Sequence, residues 1–287
     1  MTTTLPLKRP AISGTEMLSK VPQVTAVFWI IKVLCTTVGE TFADLLNSKL
    51  GLGLTMTTYI MGTFLLLMLV AQFTLRRYVP AVYWSVVVLL SIVGTLITDN
   101  LTDNFGVSLT TTTLVFSVIL AIVFGVWYRV EGTLAIHSIT TVRREVFYWL
   151  AVLFTFALGT AAGDLISEKL NLGYFWTTVL FVALIALVAV AHWKFGLNSV
   201  FSFWAAYILT RPLGASLGDL MGQHHEDGGL GIGKLKISVV FLLAIAALVG
   251  YLTRTGIDRE EASDSHEMDQ LIAGEENVLR NEVDRVG

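Results

Sequence analysis

Four times along the chain a tryptophan is followed ten residues later by a glycine and fifteen residues later by an aspartate. The tryptophans are Trp29, Trp84, Trp149 and Trp204, the glycines Gly39, Gly94, Gly159 and Gly214, and the aspartates Asp44, Asp99, Asp164 and Asp219. The spacing W-x9-G-x4-D holds in all four copies without a gap, and successive tryptophans lie 55, 65 and 55 residues apart. A repeat of this length marks one supersecondary unit used several times, each copy burying against its neighbours the face it cannot bury alone. Whatever this sequence folds into must set four equivalent units side by side.

Each unit contains two apolar runs. Eight such runs lie near 24–45, 55–75, 81–102, 108–128, 146–168, 176–194, 199–220 and 236–253, each about the 20 residues a helix needs to cross a bilayer. Of the 287 residues 54% are hydrophobic and 14% charged, against about 25% charged in soluble domains. That excludes an ordinary soluble enzyme and a disordered chain. The expected fold is an all-α polytopic membrane protein of eight transmembrane helices, built from four two-helix repeats. Because every unit crosses twice, all four run the same way, so this is a parallel repeat about an axis along the membrane normal. Units one and three are the most alike: Asp44-Leu45 and Asp164-Leu165 each precede a lysine, then Leu52-Gly53 and Leu172-Gly173. The chain then divides into an N-terminal segment (1–23), a first half (24–145), a second half (146–255) and a tail (256–287).

The connectors after runs two, four and six hold Arg76, Arg77, Arg129, Arg143, Arg144 and Lys194, while those after one, three and five hold Lys49 and Lys169. The positive-inside rule places the first set and both termini in the cytoplasm; Lys234 and Lys236 run against the pattern. The first run carries Lys32 and lacks a small-residue cleavage site, so it reads as a retained helix. The tail carries ten acidic and three basic residues and reads as a solvated appendage. The body has no strongly basic face, which argues against a nucleic-acid partner. A single cysteine, Cys35, excludes an internal disulfide. The bilayer is the expected partner, and oligomeric state is open.

Fifteen residues are about 22 Å of helix, so tryptophans and aspartates belong to opposite ends of the odd helices. The tryptophans suit interface anchors; a gate of four rings on the axis is the alternative. The glycines suit close helix packing, through Gly39-x-x-x-Ala43, Gly159-x-x-x-Gly163 and Gly214-x-x-x-Gly218, or else a broken helix with free carbonyls. Carboxylates inside a membrane are costly, by about 2.5–3.5 kcal/mol on insertion scales, and four at one depth point to a polar cavity. Glu40 lies four residues before Asp44, Asp103 four after Asp99 and Glu168 four after Asp164, spacings that share a helix face. The candidate metal-ligating set is therefore Glu40, Asp44, Asp99, Asp103, Asp164, Glu168 and Asp219. Helix capping at the outer surface is the competing reading, to which Asp103 and Glu168 are most open.

Three units also place a threonine pair 28 and 29 residues after the tryptophan: Thr57-Thr58, Thr112-Thr113 and Thr177-Thr178. The fourth has Ile232-Gly233 there. Arg211 shares a face with Asp219, eight residues on, and suits an ion pair, structural or broken by an arriving cation. Lys32 is expected to snorkel to the cytoplasmic edge. His224-His225-Glu226-Asp227 lacks the spacing of a closed zinc site and reads as a polar loop; His137 and His192 read as structural.

The chain resembles a family of bacterial inner-membrane proteins built from four tandem copies of a two-span repeat of unknown function, known only as uncharacterised membrane-anchored proteins. The resemblance covers residues 24–253 and rests on Trp29, Trp84, Trp149 and Trp204 and on the stretches KVPQVTAVFWIIKVL, TTVGETFAD and RPLGASLGD. It implies topology and no activity. The residues themselves suggest a transporter. Their oxygen-only ligands suit a hard divalent cation, manganese first, as substrate rather than cofactor, with proton exchange. A proton-coupled carrier of an organic cation or small solute, or a non-transporting scaffold or sensor, is the alternative. No nucleophile–base pair or HExxH motif supports an enzyme. Reporter fusions at residues 78 and 104 are expected to report opposite sides of the membrane; the same side for both would refute the topology.

Overall fold

The computed structural model describes residues 19–50 and 53–258; most of the N-terminal segment and the acidic tail from residue 259 on lie outside the described residues. Among the described residues there are eight long helices and no strand: α1 (Ala26–Leu50), α2 (Gly53–Thr74), α3 (Pro80–Asp99), α4 (Leu109–Glu131), α5 (Val142–Asp164), α6 (Tyr174–Phe195), α7 (Ser199–Gly222) and α8 (Lys234–Thr255). Seven are long and apolar enough to cross a membrane. The exception, α7, matches their length but carries Arg211, Asp219 and a run of small residues, which its place in the bundle buries. Local signals set the ends. Ser108, Thr141 and Asn198 cap α4, α5 and α7 by accepting backbone N–H groups, and left-handed Gly132, Gly196 and Gly256 stop α4, α6 and α8.

The odd helices form a closed ring in the order α1, α3, α5, α7, with α7 packed back on α1. Each even helix leaves its own unit and packs outside the odd helix of the next: α2 on α3, α4 on α5, α6 on α7 and α8 on α1. Of the spanning stretches, 61, 67 and 61% of α1, α3 and α5 is buried, against 22, 17, 11 and 22% of α2, α4, α6 and α8. The even helices therefore give their apolar side chains, such as Leu66, Leu114, Leu187 and Leu243, to lipid. This is a multi-pass membrane protein.

The repeat residues explain the ring. A Cβ on Gly39 would overlap Ser91 and one on Gly94 would meet Phe156. One on Gly159 would overlap Arg211, and one on Gly214 would overlap Thr36. Ser91, Phe156, Arg211 and Thr36 each stand seven residues after the tryptophan of the next unit. One contact is thus repeated four times and closes from unit four to unit one. The glycines keep unbroken helices close together, which is packing and not exposed carbonyl.

A second contact follows the same rotation. The aromatic residue before each tryptophan packs on the tryptophan of the next unit: Phe28 on Trp84 (5.5 Å between centroids), Tyr83 on Trp149 (5.4 Å), Tyr148 on Trp204 (6.1 Å) and Phe203 on Trp29 (5.7 Å). Trp84, Trp149 and Trp204 are accordingly 1, 4 and 5% exposed, and Trp29 is half-buried. They are not interface anchors. An aromatic neighbour at every step draws them into a layer across one end of the ring, here called the Trp end.

The threonine pairs belong to the seams between even and odd helices. Thr57, Thr112 and Thr177 are buried, Thr58 accepts from Asn100, just past the end of α3 (2.7 Å), and Thr178 donates to Ser216 on α7 (3.2 Å). In unit four the counterpart is Ile237-Ser238 and not Ile232-Gly233, because the loop through His224–Gly233 shifts the register. Ser238 bonds Thr41 on α1 at 2.8 Å. Substituting leucine for Gly159 or Gly214 is expected to destabilise the purified protein by about 1–3 kcal/mol, read as a lower melting temperature in detergent. Gly62→Leu or Gly125→Leu, where a Cβ would meet nothing within 4 Å, should leave it unchanged.

Candidate functional site

Inside the ring the polar residues fall in layers one helical turn apart. Eleven residues after the four tryptophans come Glu40, Thr95, Thr160 and Ala215; fifteen after come the aspartates. Arg211, fully buried on α7, reaches into the first of these layers. Its guanidinium donates to Glu40 (3.0 Å) and to the backbone carbonyl of Thr36 (3.1 Å) on α1, to the hydroxyl of Thr95 on α3 and to that of Thr160 on α5 (2.6 Å). One cation thereby touches all three other ring helices. Thr95 also donates to Glu40 at 3.4 Å.

Arg211 therefore pairs with Glu40 and not with Asp219. Eight residues of helix are about 12 Å of rise, too far for the side chain. The register between α1 and α7 brings Glu40 alongside instead. The +11 position, polar in three units, was a signal the repeat carried, although W-x9-G-x4-D stops short of using it.

Beyond this layer lies the aspartate ring. Oxygen atoms of Glu40, Asp44 and Asp219 all lie within 4.8 Å of one another, and Asp219 is 6% exposed. Asp99 lies in the electrostatic field of Glu40, Asp44, Asp103 and Arg211, and Asp164 in that of Glu40, Asp219, Asp99 and Glu168. All four aspartates thus gather near Glu40 at the end of the ring away from the tryptophans, here called the acidic basin. Lys234, at the start of α8, pairs with Asp44 at 2.5 Å. This accounts for its departure from the positive-inside pattern, since its charge answers a carboxylate inside the bundle. Asp219 also accepts from Gln223 (3.4 Å).

Asp99 and Asp164 end their α-helices, and each is followed by one π-helical turn, Asn100–Asn104 and Leu165–Lys169. The π turns change where the next carboxylates sit. Asp103 and Glu168 are exposed, accepting from the hydroxyls of Thr102 (3.0 Å) and Tyr174 (3.1 Å). They flank the mouth of the basin and do not line its interior, because the widened turn carries them off the inward face.

The opposite end is closed. Lys20, fully buried, pairs with Glu145 at 2.7 Å, and Glu145 also accepts from Gln72 (2.9 Å) and from the indole of Trp149 (3.5 Å). Nor does Lys32 snorkel. Its ammonium is wholly buried, 4.0 Å from the ring centroids of Phe156 and Tyr207, because α1 turns that face to the axis and not to lipid. A cavity of about 700 Å³ opens between α1, α6 and α7 near this end, lined by apolar residues with His137 and His192; it holds no carboxylate. His192 bonds the carbonyl of Leu197 (2.8 Å), His225–Asp227 form an exposed 3-10 turn, and Cys35 is buried.

Removing one member of a buried ion pair strands the other, at about 3–5 kcal/mol, whereas replacing both by apolar residues is often neutral. Arg211→Leu is therefore expected to lower folded yield and melting temperature sharply, and Arg211→Leu with Glu40→Leu to recover most of the loss. A double variant as unstable as the single one would show that Arg211 acts through its threonine contacts.

The profile of the Repeat of Unknown Function family DUF347 matches the chain at residues 27–78, 82–133, 147–197 and 202–258. These four matches are the four two-helix units of the ring, and the chain belongs to that family. No curated protein and no solved structure matches it.

Proposed function

We propose that this member of the DUF347 repeat family is a transporter of a hard divalent cation, manganese first among these, exchanged against protons through the acidic basin. The observation that carries the reading is a surplus of carboxylate. Glu40, Asp44, Asp99, Asp164 and Asp219 share the basin with two cations, Arg211 and Lys234. Unpaired carboxylates at membrane depth are costly and mark ion or proton paths. Asp99 accepts from Thr102 through its backbone carbonyl (3.4 Å), and among the described residues no hydrogen bond reaches the carboxylate of Asp99 or of Asp164, which leaves those oxygens for a ligand. Oxygen-only donors suit manganese, magnesium or calcium better than copper or zinc. The Trp end, with Arg143 and Arg144 paired to Glu131, is assigned to the cytoplasm of an inner membrane, so the basin opens outward.

The scaffold reading draws on a different observation. Glu40 and Asp44 already hold cationic side chains from α7 and α8, as they would if carboxylates served only to join helices. The two readings part at Asp99 and Asp164. In proteoliposomes Asp99→Asn and Asp164→Asn are expected to reduce divalent-cation flux at least about tenfold with normal membrane abundance. Flux should also fall as the outer medium is acidified, since carboxylate ligands must lose protons to bind metal. Wild-type flux in both variants would remove these residues from the path. No flux of any tested cation in the wild type would favour an organic solute or the scaffold.

A further inference from the structure

The fourth unit brings to the acidic basin a cation that the other three units lack. Three residues before the pairs Thr57-Thr58, Thr112-Thr113 and Thr177-Thr178 stand Leu54, Leu109 and Tyr174; three before Ile237-Ser238 stands Lys234. The loop leading to it folds back on the end of α7. The N–H groups of Leu230, Gly231 and Ile232 donate to the carbonyls of Leu220 (2.6 Å), Gln223 (2.9 Å) and Met221 (3.1 Å). Gly233, at φ 93°, then turns the chain into α8, a backbone conformation open to glycine. The stem of Lys234 crosses Gly222, where a Cβ would come within 3.0 Å of its Cγ. Its ammonium ends on Asp44. Asp44 is one of the three residues whose oxygens lie within 4.8 Å of one another, and the charges of the other two, Asp219 and Glu40, act on Lys234 as well. The second ion pair here is of another kind, since Arg211 is fully buried against Glu40. The side chains of Lys234 and Asp44 are 25 and 24% exposed, so water reaches both partners.

We propose that Lys234 is a tethered competitor for the cation site, and that it sets which ions the basin accepts. This role rests on the cation-transport reading. An ammonium held beside its carboxylate by the chain does not have to be gathered from solution, so an incoming ion must win Asp44 from it. A monovalent ion such as K⁺ offers the carboxylates one charge in place of one and gains no Coulomb energy by the exchange. A divalent ion offers two in place of one. It also coordinates several oxygens at once, where an ammonium is a single point charge. The displaced ammonium turns into the water that already reaches it, on the rotatable bonds of its own stem. Selection against monovalent ions then comes from a residue that never ligates the ion.

The purified full chain is compared with Lys234→Met, and with Lys236→Met, which removes the same charge from an exposed position two residues on. Mn²⁺ binding is titrated by calorimetry at one ionic strength, set either with potassium chloride or with N-methyl-D-glucamine chloride. In the glucamine salt Lys234→Met should bind Mn²⁺ at least about tenfold more tightly than the wild type. Potassium should weaken Mn²⁺ binding to Lys234→Met at least about threefold, because K⁺ now takes Asp44 uncontested, and should leave the wild type unchanged. Lys236→Met should bind as the wild type does. Equal affinity in the wild type and Lys234→Met, or the same gain in Lys236→Met, would overturn the proposal and leave the cation reading standing. No Mn²⁺ binding by the wild type or by Lys234→Met would remove both. Should Lys234→Met fail to fold, the wild type decides. Brief labelling of its amines with an N-hydroxysuccinimide ester, read residue by residue by mass spectrometry, should rise at Lys234 and not at Lys236 when Mn²⁺ is added. Unchanged or lower labelling of Lys234 would overturn the proposal, since a displaced ammonium is more accessible than one held on Asp44.

Discussion

The close approach of four helices at four glycines is the constraint on which the rest depends. Without a Cβ at Gly39, Gly94, Gly159 and Gly214, each odd helix admits the residue seven places after the tryptophan of its neighbour. Association inside a bilayer has little hydrophobic driving force and relies on such packing. Because the contact runs in one sense and joins unit four back to unit one, it yields a closed ring and not an open row. The aromatic layer repeats that rotation one level away, and the even helices, displaced onto the next unit, seal the seams against lipid.

Closure creates an interior, and the interior lets polar groups exist at membrane depth. A guanidinium facing lipid would be prohibitively placed; within the ring Arg211 finds acceptors on α1, α3 and α5 at once. Its four hydrogen bonds make it a brace for the ring as well as a charge on the axis. Moving along that axis from the Trp end, one passes an aromatic layer, the Lys32 ammonium, the Arg211–Glu40 pair and then the aspartates. The interior therefore becomes acidic along the axis, away from the aromatic layer.

The four units share a backbone plan and differ where the chemistry lies. At the +3, +7 and +11 positions unit one has Lys32, Thr36 and Glu40, and unit four has Tyr207, Arg211 and Ala215. Units two and three supply Thr95 and Thr160 as hydroxyl acceptors, and among the described residues they alone place a π turn after the aspartate. The glycine and the aspartate are common to all four, so the helix contacts and the aspartate level repeat around the ring. The cations are not, so the axis has chemically distinct sides.

The sequence alone determined the helices, the number of units and their parallel sense, because spanning length and an ungapped repeat are local properties of the chain. It also brought the aspartates to one level, since equal spacing from the tryptophans fixes equal depth in equivalent helices. What it did not determine was which side chains meet. Arg211 was read against Asp219 on its own helix but meets Glu40 of α1. Lys234 looked like a topological exception and proves to hold Asp44. Lys32 and the tryptophans were read as interface residues and lie inside. Each of these outcomes depends on the rotation of one helix against another and on closure of the ring. Such relations join residues as far apart as Glu40 and Arg211, and only tertiary packing decides them.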